Sequence, residues 1–203
     1  DLTRQHGIDL VELLEEKHGG PTANRAIQAV KSMVNVLLDK NKIPLEYNPL
    51  LRIKADKKEV ARDRVLTDDE VRSIFADLNS RDTLYSDILK VLFYTGLRRG
   101  EVAGMTRQEV DLDARVLNLP KERTKNSKPH QVHLSDPVIE IIERRMANTD
   151  GDMLFGDNGS TPHSGWSRSK DRLVKRCKVE GWRLHDIRRT VVTDMNEHLK
   201  APP

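Results

Sequence analysis

Nearly everywhere in this 203-residue chain apolar residues recur at steps of three and four, but between Val110 and Ser135 they do not. There the sequence reads VDLDARVLNLPKERTKNSKPHQVHLS, in which RVLNL and QVHL alternate apolar with polar and flank ERTK and the polar turn NSKP. A period of two marks a half-buried strand, whereas three-and-four spacing lays one face of a helix on a core. One strand-forming stretch among helices restricts the fold to a mainly α class with a small antiparallel β-sheet (α+β). Its hairpin tip is expected near Lys125 to Lys128.

The helical segments follow from the same test. From Pro21 to Ile43, Ala23, Ala26, Ile27, Val30, Met33, Val34, Leu37 and Leu38 describe one face of a long amphipathic helix, with Arg25 and Lys31 assigned to its exposed side. A shorter helix over Ile8 to Lys17 precedes it across HGGPT, where two glycines and a proline break the pattern. Two helices make a thin core, so residues 1–54 are expected to be part of a helical domain whose beginning is missing. The stretch 43–65 has two prolines, no sustained period and dense charge of both signs, and the linker is drawn at residues 55–65. A second domain, residues 66–203, opens at LTDDEV, where Thr67 and Glu70 form a capping box. A helix over Leu84 to Tyr94 stops at Gly96, SDPVIEIIERRM starts another, residues 153–164 are a glycine-rich loop, and two helices follow.

Charge is abundant but nearly balanced. Lys and Arg number 35 against 32 Asp and Glu, a net charge of +3, so arrangement rather than sum must reveal any polyanionic partner. The single cysteine, Cys177, excludes an internal disulfide framework and reads as a buried structural residue on the apolar side of its helix. No apolar run approaches the roughly 18 residues of a membrane span and the amino end has no signal core, which gives the expectation of a soluble, cytoplasmic protein.

Three separate segments each supply an oddly placed cation. YTGLRRGEVAGM sets Arg98 and Arg99 just past a helix stop with Glu101 behind them, Lys125 sits at the hairpin tip, and His185 and Arg188 share one face of the last helix. Paired guanidinium groups suit a phosphate, because each planar fork holds two oxygens and fixed cations stabilise the charge of a developing phosphorane. The helix bearing Arg168, Lys170, Arg172, Lys175 and Arg176 would add a contact to a nucleic-acid backbone, although a solvated charged face has the same letters. Other groups point away from chemistry. His130 and His133 fall on opposite faces of a strand, which disfavours a metal pair, and Trp166 and Trp182 read as core.

TGLRRGE, RTKNSKPHQVHLS and LHDIRRT, in that order, resemble the three motifs of the tyrosine recombinase family in its phage-type integrase branch. The segment GPTANRAIQAVKSMVNVLLDKNKIPLEYNPLLRIK resembles the end of that family's helical core-binding domain, so the likeness covers nearly the whole chain. The resemblance implies that Arg98 and Arg188 clamp a scissile DNA phosphate, that Lys125 protonates the leaving 5′ oxygen, and that His185 assists proton transfer at the nucleophile. It makes Glu101 a supporting acid that orients an arginine. DNA contacts are then expected from Arg25, Lys31, Arg99, Arg168, Lys170, Arg172, Lys175 and Arg176. The implied reaction is a transesterification through a 3′-phosphotyrosine, with no cofactor and no metal, on duplex DNA at an attachment or recombination site, by a homotetramer.

One departure stands out. The family's nucleophilic tyrosine follows the His-x-x-Arg motif, whereas Tyr47, Tyr85 and Tyr94 all precede it, so no nucleophile is carried over to this chain. The expectation is a chain truncated before the nucleophile, inactive for cleavage as it stands. Two alternatives remain open at this point: a type IB topoisomerase-like enzyme, and a DNA-binding module without cleavage activity.

Overall fold

A computed structural model of the chain describes residues 2–55 and 62–199. The chain divides into two compact units, Asp1–Arg62 and Asp63–Pro203. Most of the expected linker, residues 56–61, lies outside the described residues.

The first unit is a helical hairpin closed by a crossing segment. Helix α1 (Arg4–His18) starts at Thr3, whose hydroxyl accepts from the His6 amide while His6 Nδ1 accepts from the Thr3 amide. Helix α2 (Gly20–Asp39) follows after Gly19, with Pro21 in its first turn, where a missing N–H costs nothing. Val11, Ala23, Ile27 and Val34 meet Leu50 and Ile53, which thicken the core that two helices alone would leave thin. The crossing is close: a Cβ at Gly7 would lie 2.5 Å from Ile53 Cδ1 and 2.7 Å from Leu50 Cδ2. Asn48 fixes it, its amide nitrogen donating to Lys31 O at 3.0 Å and Asn35 Oδ1 at 2.7 Å.

This segment corrects one expectation. Lys31 does not stand on an exposed face; it is buried, and its Nζ donates to Ile53 O at 2.6 Å. Burial first, and the neighbouring Lys54 second, push its pKa below the ordinary lysine value. Lys31 is a structural tie and is withdrawn from the set of candidate DNA contacts, whereas Arg25 is exposed.

The second unit is mainly helical and carries a small sheet. Helix α3 (Asp68–Asn79) has the expected capping box, with Glu70 N donating to Thr67 Oγ1 and Thr67 N to Glu70 Oε2. Helix α4 (Leu84–Thr95) is the buried centre, with Ile88, Leu89 and Val91 sealed from solvent, so truncating Ile88 or Leu89 to alanine should cost about 2–5 kcal/mol. Helix α5 (Arg99–Ala103) is a five-residue helix that the sequence pattern does not announce. Strands β1 (Val110–Asp111), β2 (Val116–Leu119) and β3 (His130–His133) form an antiparallel sheet in that order, with Val110 opposite Leu117, Val116 opposite His133 and Leu119 opposite His130. Leu117 and Leu119 face the core and Val116 is buried beside them, so only Asn118 of β2 is exposed; His130 and His133 of β3 are exposed. Helices α6 (Asp136–Ala147), α7 (Trp166–Cys177) and α8 (Leu184–Leu199) complete the unit.

Trp182 is sealed in this core with Phe155, Met105 and Ile187, its indole N–H donating to Val179 O at 3.0 Å. Cys177 is only half-buried, because α7 lies at the edge of the core and ends there. Among the described residues no helix is long and apolar enough to cross a membrane.

Candidate active site

The site begins at a helix stop. Gly96 ends α4 in the left-handed region, at φ 62°, and its amide donates to Leu92 O at 2.9 Å. That conformation is costly for residues with a Cβ, and a Cβ here would also sit 3.0 Å from Val191 Cγ1. The chain then turns, buries Leu97 and presents Arg98 as the residue that opens α5.

Glu101 holds Arg98 at two points. Its Oε2 accepts from the Arg98 amide at 2.7 Å and its Oε1 from Arg98 Nη1 at 2.8 Å. The carboxylate side chain is 5% exposed and the guanidinium 40% exposed, so the pair has a fixed, dry base and an open end. An arginine has five N–H donors, and this arrangement leaves most of the fork for another partner. Arg188 arrives from α8 and donates from Nη1 to Gly96 O at 2.5 Å.

Between these elements lies an open cleft of about 530 Å³, lined by Leu97, Arg98, Arg99, Gly100, Trp166, Ser167, Lys170, Arg183, Leu184, His185 and Arg188. Five of the lining residues are arginine or lysine, one is histidine and none is acidic, so the walls favour an anion. Trp166 forms part of the wall and carries the Arg99 guanidinium 5.1 Å from its ring centroid. His163, 4.8 Å away and nearly perpendicular, and Tyr85, at 6.2 Å, also pack on the indole. Lys170 lies 4.9 Å from the Trp182 ring.

The structure therefore brings Arg98, Arg99, Lys170, His185 and Arg188 to one cleft and leaves Lys125 outside its lining. Lys125 is exposed on the turn between β2 and β3, which Thr124 closes with its hydroxyl 2.7 Å from Lys128 O. Arg168, Arg172 and Lys175 are exposed on α7. Arg176 is not available in the same way: Nε and Nη2 grip both Asp77 oxygens at 2.6 and 2.7 Å, which holds that carboxyl below its usual range. It staples α7 to α3 and is a weaker candidate for a DNA phosphate. Trp166 is half-buried: it packs against the core, as expected, and its outer side also forms part of the cleft wall.

Sequence reasoning missed Arg183 in the cleft lining and the order of the glycine-rich loop. Asp157 accepts from the Ser164 amide at 2.9 Å and its hydroxyl at 2.8 Å, and lies 2.5 Å from His163 Nδ1. These contacts, the amide first, hold its carboxyl down to about 2. The adjacent Asn158, whose Oδ1 accepts from the Ser160 and Thr161 amides, is the kind of local Asx signal that DNGST carries. Of the three tyrosines none lines the cleft: Tyr85 is buried, Tyr94 lies against Phe75, and Tyr47 belongs to the first unit. Among the described residues no group of three or more His, Cys, Asp or Glu could hold a metal ion.

A mainly helical α+β protein with a small sheet and a cation-walled cleft is the class that fold and site define. Residues 64–200 match the Phage integrase family, and the chain belongs to that family. It is 22% identical over 196 residues to the shufflon-specific DNA recombinase of Escherichia coli, covering 95% of this chain and 49% of the relative. It is 30% identical over 112 residues to the integrase of Shigella phage Sf6, covering 54% of this chain and 29% of that protein. The chain thus spans half or less of the length of these relatives. Its fold is similar to that of lambda integrase crystallised as a tetramer bound to a Holliday junction, with a TM-score of 0.76 and 16% identity over 98% of this chain and 61% of that one. It is also similar to the Tn1549 transposon integrase in complex with circular intermediate DNA, with a TM-score of 0.70 and 17% identity over 100% of this chain and 75% of that one.

Proposed function

We propose that this chain carries the phosphate-handling face of a site-specific DNA recombinase, an integrase that breaks and rejoins duplex DNA by transesterification. The observation that carries the reading is the meeting of Arg98, His185 and Arg188 in one acid-free cleft, with Arg98 fixed on a buried Glu101. A phosphate oxygen about 4 Å from one guanidinium gains roughly 4 kcal/mol at an effective dielectric near 20, and two guanidinium groups suit the extra charge of a phosphorane.

In this reading a tyrosine hydroxyl other than those of Tyr47, Tyr85 and Tyr94 attacks the scissile phosphorus and loses its proton with help from His185. The bond from phosphorus to O5′ breaks, Lys125 delivers a proton to that oxygen, and a 3′-phosphotyrosine and a 5′ hydroxyl result. A 5′ hydroxyl from a partner duplex reverses the step with strands exchanged. In each step one phosphoester bond forms as another breaks, so the reaction balances without a nucleotide cofactor. Arg25, Arg99, Arg168, Lys170, Arg172 and Lys175 hold the DNA backbone, residues 1–54 act as part of a core-binding domain joined by residues 55–65, and a homotetramer assembles on the DNA in the cytoplasm.

The test is adduct formation by the full-length protein on DNA spanning the ends of the element that encodes it, with chelator present. A covalent 3′ adduct that tolerates EDTA supports the reading. Duplex binding without an adduct makes the chain a binding module, and a strict requirement for divalent metal removes the transesterase mechanism.

A further inference from the structure

The hairpin that bears Lys125 is fastened to the helix that bears Glu101 by one side chain outside the cleft lining. Arg123 ends the 3-10 turn Lys121–Arg123 at the root of that hairpin, and its side chain is 23% exposed. Its Nη2 donates to Glu101 O at 2.9 Å and reaches Gly100 O at 3.2 Å, both in α5. Its Nη1 pairs with the Glu109 carboxylate, which is nearly buried and also accepts from the Thr106 amide at 2.9 Å.

Two features make this seat specific. Carbonyls in the last turn of a helix lack intrahelical donors, and in a five-residue helix that shortage reaches Glu101, so Arg123 acts as a cap from another element. Gly104 leaves the space for it: a Cβ there would lie 2.8 Å from Arg123 Nη2 and 3.4 Å from Cζ. Glu101 thus joins two arginines, its carboxylate holding Arg98 and its carbonyl receiving Arg123.

We propose that Arg123 is a positioning residue that sets where Lys125, two residues further on, stands relative to the Arg98–Glu101 pair. The inference rests on the proposed roles of Lys125 and Arg98. An exposed lysine on a turn samples many positions, and a general acid works only within hydrogen-bond reach of the oxygen it protonates. Anchoring the root of the turn on the backbone of α5 ties the lysine to the element that holds the phosphate. Losing that anchor should slow proton delivery to O5′ while leaving the phosphate clamp and DNA binding intact.

The experiment compares single-turnover cleavage by the full-length protein on two duplexes carrying the cleavage site mapped with the wild-type protein. One has the natural bridging oxygen and the other has sulfur in the 5′ bridging position, whose thiolate leaves without a proton. Arg123→Gln and Gly104→Ala should each slow cleavage of the oxygen duplex by about tenfold or more, part of the roughly 10²–10⁴ that general acid–base catalysis supplies. Both should cut the sulfur duplex within about threefold of wild type, as Lys125→Ala should. Equal slowing on both duplexes, or no slowing on either, overturns the inference, and Gly104→Ala decides it if Arg123→Gln does not fold. A Lys125→Ala protein that cuts the oxygen duplex at the wild-type rate removes the role given to Lys125, and the inference falls with it.

Discussion

The carbonyl of Gly96 accepts a hydrogen bond from Arg188 Nη1 at 2.5 Å, so the stop of α4 and the second candidate arginine are fixed to each other across 92 residues of chain. Gly96 takes part twice, because its left-handed φ of 62° both ends the helix and turns Arg98 toward the same cleft. Gly96→Ala should destabilise the protein by about 1–2 kcal/mol, the usual cost of a Cβ in that conformation, with extra strain from Val191 at 3.0 Å. The check is the urea midpoint at unchanged slope. An unshifted midpoint would mean the junction relaxes freely.

Glu101 is the next point of failure. Glu101→Gln keeps the shape but removes the charge that holds Arg98, and an amide cannot accept at both positions now used. Cleavage by the full-length protein should fall by about tenfold or more, with duplex affinity changed little. Unaltered cleavage would show that Arg98 needs no acid behind it.

The cations of the first unit and of α7 should separate in a salt titration. Replacing Arg168 or Lys175 with alanine should each lower the salt slope of duplex binding by about 1. Lys31→Ala should leave that slope alone and lower stability instead, because it removes the donor to Ile53 O from the core. Arg176→Ala should follow Lys31 rather than Arg168, since its partner is Asp77. A loss of slope in the Lys31 variant would contradict its burial.

Much of this architecture is readable in the sequence, and the exceptions share a cause. The capping box at Thr67 and Glu70, the stop at Gly96 and the turn at Lys125 are written in residues three or four apart, where local chemistry decides. Lys31 leaves the exposed face because the segment that buries it comes 22 residues later, and the pairing of Arg176 with Asp77, 99 residues away, has no local signature. Helix α5 is too short to show a period and exists through the cap from Glu101 to the Arg98 amide. At the site, the resemblance singled out Arg98, His185 and Arg188, while Arg183 and Arg123 have partners or neighbours that no local pattern reveals.

Acid sensitivity offers a separate check on the loop behind Trp166. Asp157 is held down to about 2 by Ser164 and His163, below the usual unfolded value near 3.9. A depressed carboxyl contributes stability that is fully present above the unfolded value and is lost as pH falls from about 4 toward 2. Asp157→Asn should therefore be less stable than wild type at neutral pH and lose less on acidification through that window. Parallel loss in both proteins would place the acid sensitivity elsewhere.

Whether Arg98 and Arg188 hold the reacting phosphate is decided by the single-turnover rate of covalent adduct formation by the full-length protein with Arg98→Lys and Arg188→Lys, set beside duplex affinity at one fixed salt concentration. A lysine keeps the charge but loses the planar fork. The adduct rate should fall by about 100-fold or more in each variant with affinity within a few-fold of wild type. An adduct rate that stays at the wild-type value in both variants would mean that the cleft between α5 and α8 does not hold the reacting phosphate.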